Sequence, residues 1–176
     1  PYLIKNLKML NLLDLSENKI SYIPAEIGLL SNLIKLRLSE NDIDSIPKEI
    51  GGLSKLKYLY FDQNNIQNIP IKIGNLINLI QLGLSSNKIE ELPKEIGDLS
   101  SLISLGLSFN SIKYLPPEIG NLKALISFFL MYNKLLVIPT EIQNLTRLST
   151  LAFSNNQISI IPKKIANMPR LSSLNL

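Results

Sequence analysis

The sequence predicts an α/β solenoid, with a parallel β-sheet lining a concave face and short 3₁₀ or α-helical turns on the convex face. Three observations carry this. Asparagine recurs every 23 residues, at Asn18, Asn41, Asn64, Asn87, Asn110, Asn133 and Asn156. Ahead of each stands an alternating apolar pair, such as Leu36 and Leu38 or Leu82 and Leu84. Behind each stands a proline, at Pro24, Pro47, Pro70, Pro93, Pro116, Pro139 and Pro162, with Pro1 one period earlier. Self-similarity at such a period marks an architecture of stacked identical units.

Within a unit, the Leu-x-Leu segment alternates sides as a short strand does, so its leucines turn inward and the x positions outward. The asparagine falls where the chain leaves the strand. The Pro-x-Glu-Ile-Gly segment reads as one helical turn. Proline suits its start, and Glu26, Glu49, Glu95, Glu118 and Glu141 fall in its first turn, where the helix dipole favours them. Gly28, Gly51, Gly74, Gly97 and Gly120 are expected to end it. No unit can bury its own apolar residues alone, so stacking makes the core.

The full frame is L-x-x-L-x-L-x-x-N-x-I-x-x-I-P-x-E-I-G-x-L-x-x. Repeat two supplies Leu33, Leu36, Leu38, Asn41, Ile43, Ile46, Pro47, Ile50 and Leu53, and repeat four follows it with Leu79 to Leu99. This frame resembles the leucine-rich-repeat family, and the resemblance covers the whole chain. It implies a horseshoe, and it implies that the asparagine amides bond to backbone groups of their own turn and the neighbouring repeat. Plant receptor repeats share Ile-Pro-x-x-Ile-Gly but run about 24 residues with a glycine before Ile-Pro. Here Ser21-Tyr22, Glu90-Glu91 and Lys113-Tyr114 occupy that stretch. The frame is more similar to Ras-group intracellular repeats and to small bacterial proteins of the family. It frays toward the end, where Gln143 and Ala166 replace the glycine and Met168 the last leucine.

Residues 1–176 read as a single repeat domain of seven full units with partial units at both ends. Neither end carries a polar cap, so the domain is expected to belong to a longer protein. The chain lacks Cys and His, which removes thiol and imidazole chemistry and the usual zinc ligands. Missing cysteines fit a cytoplasmic protein, or a secreted bacterial one without disulfides. No catalytic constellation is expected, nor any metal or cofactor. The recurring serines have no base to activate them. Asp14, Glu17, Glu40 and Asp62 fall on the strand side, and a solvated face explains them. The net charge of +4 is mild, and Lys48, Lys72, Lys94, Lys163 and Lys164 fall on the convex turns, often beside Glu, not on the strand lane, so no phosphate track and no nucleic-acid partner are expected. No apolar run is long enough for a transmembrane helix.

The outward strand positions carry the recognition signal. Tyr58, Tyr60, Phe109, Phe129 and Tyr132 lie on this lane with no core to fill. Clustered exposed aromatics suggest binding. Tyr58 and Tyr60 accompany Lys35 and Arg37. Phe129, Met131 and Tyr132 lie three repeats on, with Phe109 beside them, so the groups are roughly 14 Å apart. Gly83 and Gly106 fall between, and are expected to leave a bare shelf for a partner's backbone. A second candidate is an apolar flank column of Tyr114, Val137 and Ile160 with Leu136 beside it, suited to an adjoining domain or a second copy.

These residues point to a scaffold that binds a protein or peptide on its concave face. The resemblance implies adhesion, signalling or host interaction. Two rival classes are a recognition arm of a larger enzyme, which a flanking catalytic domain would mark, and a glycan or lipid receptor, whose ligand would stack on the aromatics.

Overall fold

The computed structural model describes residues 2–176; Pro1, expected to open the first partial unit, lies outside them. Eight three-residue strands form one parallel sheet in strict chain order. They are β1 (Leu12–Asp14), β2 (Lys35–Arg37), β3 (Tyr58–Tyr60), β4 (Gln81–Gly83), β5 (Ser104–Gly106), β6 (Ser127–Phe129), β7 (Thr150–Ala152) and β8 (Ser173–Asn175). Register advances by one repeat per strand, so Lys35 pairs with Tyr58, and Leu36 with Leu59. Each column of the sequence repeat is therefore a physical column across the sheet.

Opposite the sheet runs a row of five-residue 3₁₀ turns, from Tyr2–Asn6 and Ala25–Leu29 to Lys163–Asn167. The prolines from Pro24 to Pro139 at the repeat's proline position stand one residue outside their turns in extended geometry, with φ −69° at Pro24, whose carbonyl accepts the first turn bond from Ile27 N–H at 3.0 Å. The missing proline N–H is thus never needed.

The glycines differ from expectation. Gly28, Gly51, Gly74, Gly97 and Gly120 lie inside the turns, and no glycine has a positive φ. What they supply is close approach. A Cβ at Gly120 would stand 2.6 Å from the carbonyl oxygen of Glu141, and one at Gly74 would stand 2.8 Å from that of Glu95. Successive turns pack carbonyl against glycine Cα. Where Gln143 stands at the glycine position that faces the last turn, the last two turns pack more loosely on each other.

One apolar core runs between sheet and turns. Leu36, Leu59, Leu82, Leu105, Phe128 and Leu151 form one buried row, and Ile50, Ile73, Ile96, Ile119 and Ile142 another. Phe61, Phe128 and Phe153 are fully buried, as their inward positions require, and Phe128 meets Phe153 edge-on at 6.2 Å. Each such side chain is worth roughly 1.5–3 kcal/mol when buried.

Candidate functional site: the outward strand lane

The asparagines hold the turn from which the lane starts. Asn64 Nδ2 donates to the carbonyls of Leu38 at 2.9 Å and Phe61 at 3.0 Å, while its Oδ1 accepts the N–H of Ile43 at 3.0 Å. Asn41, Asn87, Asn110, Asn133 and Asn156 repeat the pattern, each accepting an N–H 21 residues back. Asn18 Nδ2 donates to the carbonyls of Leu15 at 3.1 Å and Ser16 at 2.8 Å.

The residue before each asparagine carries a feature the sequence reading missed. Glu17, Glu40, Gln63, Ser86, Phe109, Tyr132 and Asn155 all adopt a left-handed backbone, with φ between 55° and 58°. Strands run into the asparagine turn through this one residue. Only Asn155 is of a type this region favours, and for aromatic residues it is a marked departure. Such conformations cost on the order of 1–3 kcal/mol each when sparsely tolerated. Phe109 and Tyr132 are nevertheless 51% and 48% exposed, with their rings stacked at 4.4 Å and 9°.

The other group of aromatics sits among charges. Lys35 Nζ lies 5.6 Å from the Tyr58 ring and 5.9 Å from that of Tyr60, and the Arg37 guanidinium lies 5.9 Å from Tyr60. Arg37 also pairs with Asp14 at 3.2 Å. The Asp14 carboxyl is held below the usual carboxylate range, first by the backbone N–H of Ser16 and with help from Arg37. Tyr60 donates its hydroxyl to Gln81 Oε1. Burial is the main reason its pKa is pushed up.

Asp62 sits deepest. Its Oδ1 accepts the backbone N–H of Ser85 at 2.8 Å, and burial pushes its carboxyl up against that bond. Asp14, Glu17 and Glu40 line one shallow depression together with Arg37 and Tyr60, where Asp14 pairs with Arg37, while Asp62 stands apart and faces Ser85. Among the described residues no group of three or more His, Cys, Asp or Glu side chains could hold a metal ion.

The expected shelf is half present. Gly83 is buried, because the Asp62 carboxylate and the Tyr60 ring occupy the space above it. Gly106 is more open, and a Cβ there would meet only Ser85 Oγ at 3.1 Å. Ser108, in the serine column, is 5% exposed, and its hydroxyl has no partner among the described residues. Phe129 and Met131 are half-buried in the adjoining columns.

On the flank, Tyr114, Val137 and Ile160 are exposed and Leu136 half-buried. Tyr22, exposed in the same column far from them, was overlooked in the sequence. An exposed ion pair, Lys113 to Glu90 at 3.0 Å, borders the strip. Among the described residues no helix is long and apolar enough to cross a membrane.

Comparison with known proteins bears on this arrangement. The family described as leucine-rich repeat region matches residues 2–82 and 67–176. A leucine-rich-repeat protein of the bacterium Leptospira interrogans superposes with a TM-score of 0.93 at 40% identity, over 100% of this chain and 45% of that one. The plant peptide hormone receptor RGFR1 in complex with RGF2 superposes equally well at 41% identity, over 100% of this chain and 30% of that one. The ectodomain of the Arabidopsis thaliana receptor kinase GASSHO1/SCHENGEN3, in complex with CASPARIAN STRIP INTEGRITY FACTOR 2, gives 0.79 at 29%, over 100% of this chain and 25% of that one. The chain thus spans less than half the length of each. The bacterial protein and the receptor RGFR1 are about equally similar to this chain. A search of curated proteins returned no match. With the repeat motif, the sheet and the family match in agreement, the chain belongs to the leucine-rich-repeat family.

Proposed function

We propose that the outward lane of the sheet binds a protein or peptide that lies across β2 to β6. One observation carries the reading: five aromatic side chains stand on the strand side or its turn, outside the core, in two groups three repeats apart. The first group offers tyrosine hydroxyls and the cations of Lys35 and Arg37 to a polar or acidic portion of the partner. The second offers Phe109, Phe129, Met131 and Tyr132 to an apolar portion. The half-open Gly106 lies on the line between them.

The structural relatives support this class of partner, since the plant receptors are described as complexes with a peptide hormone and an integrity factor. An unbroken core through every described repeat supports reading 1–176 as one domain. The flank strip of Tyr114, Leu136, Val137 and Ile160 is a second surface, suited to another domain or a second copy.

Selection of a displayed linear-peptide library on the immobilised chain tests the proposal. Selected peptides should lose binding by about tenfold or more when Tyr58, Tyr60, Phe129 and Tyr132 are all changed to Ser, as expected for centrally placed aromatic anchors. Undiminished binding to that variant would remove the lane as the site.

A further inference from the structure

The stack of Phe109 on Tyr132 is open at its Phe109 end. The two rings lie 4.4 Å apart and nearly parallel, so the repeat spacing of their column is also a ring-stacking spacing. The ladder continues the column without interruption: Asn110 N–H bonds to Tyr132 O at 3.2 Å, and Asn87 N–H to Phe109 O at 3.1 Å. The next residue in the column is therefore Ser86, with the same left-handed backbone, φ 56°, and a side chain too short to cover a ring. Phe109 keeps about half its surface exposed. Its face toward Tyr132 is covered, and its other face fronts the space above Ser86.

We propose that this space is a seat for one aromatic side chain of the protein or peptide partner, which completes a three-ring stack of partner ring, Phe109 and Tyr132. The proposal rests on the lane being the binding surface. Three features specify the occupant. The spacing fits a flat ring, where a branched aliphatic group would leave gaps. No outward residue of β4 to β7 carries a charge, nor do Ser85, Ser86, Ser108 or Met131, and the nearby Asp62 carboxylate is turned to the Ser85 N–H. And the column elsewhere holds Glu, Gln, Ser or Asn, so the fold does not require aromatic residues at its left-handed positions. Two adjacent rings in that strained conformation, half exposed, serve the surface and not the core.

The test is a titration of the ¹⁵N-labelled chain with N-acetyl-L-tryptophanamide, with N-acetyl-L-leucinamide as the control probe. The expected result is saturable shifts centred on the amides of Ser86, Asn87 and Phe109. The leucine probe should bind more weakly by roughly two- to tenfold, the range of an aromatic pair beyond its buried area. Ser86→Trp should fill the seat from within the chain and abolish the response. The column already tolerates rings at this backbone geometry, and thermal melting checks the fold. Phe109→Ser, which restores the type found at position 86, should abolish it as well. No saturable response, an equal response to both probes, or a response unchanged by either variant would overturn the seat. Shifts gathered on Tyr58 to Tyr60 would also overturn it while leaving the lane as a binding surface, whereas peptide binding indifferent to the lane variants would remove the surface itself.

Discussion

Asp62 reaches forward one repeat and accepts the backbone N–H of Ser85 at 2.8 Å, over the buried Gly83. A carboxylate there replaces the serine of Ser16, Ser39, Ser85, Ser108 and Ser154 in the same column. It closes the part of the lane that its neighbour Gly83 would otherwise open.

The linkage follows from its direction of shift. Burial raises the folded-state pKa of Asp62 above the ordinary 3.8, so its contribution is fully present below that value and is lost as pH rises through the folded pKa. Asp62→Asn keeps the acceptor and removes the charge. Denaturant unfolding of both proteins at a series of pH values should show the wild type losing stability relative to the variant as pH rises from about 4. Asp14 acts in the opposite sense in both proteins and cancels in the difference.

Asn64→Ala should destabilise the chain strongly. It removes the acceptor of Ile43 N–H and a donor to Leu38 O in a buried setting, at about 1–3 kcal/mol per orphaned group. Asn18→Ala, at an exposed position with local bonds only, should have a clearly smaller effect in the same denaturant experiment.

Two glycine substitutions should behave differently. Gly120→Ala drives a Cβ to 2.6 Å from Glu141 O, and overpacking of this kind costs about 1–3 kcal/mol. Gly106→Ala meets only a serine hydroxyl at 3.1 Å and should leave the melting temperature nearly unchanged while weakening peptides that cross β5.

Arg37→Ala should separate stability from recognition. Its ion pair with Asp14 is exposed, and such pairs contribute about 0–1 kcal/mol. Melting should barely move, and binding of peptides selected for an acidic portion should fall.

The period, the strands and the asparagine turns were legible because each rests on residue type at fixed spacing. Leu36 and Leu38 announce a strand, and Asn41 announces the turn that follows. The left-handed position before each asparagine was not legible, because Glu40, Phe109 and Tyr132 are not residues that signal a positive φ. The glycines were visible, but their reason was not. Sequence suggests a stop signal at Gly120, and only the neighbouring repeat supplies the Glu141 carbonyl that forbids a side chain. The lane's composition was readable in the same way, while the covering of Gly83 depends on where Asp62 and Tyr60 turn.

Amide hydrogen exchange on the chain with and without a library-selected peptide tests the binding surface most directly. Protection is expected at Tyr58 to Tyr60, at Ser104 to Gly106 and from Ser127 to Tyr132, with the 3₁₀ turns unchanged. Protection confined to the convex turns, or to the column of Tyr114, Val137 and Ile160, would contradict recognition on the strand lane.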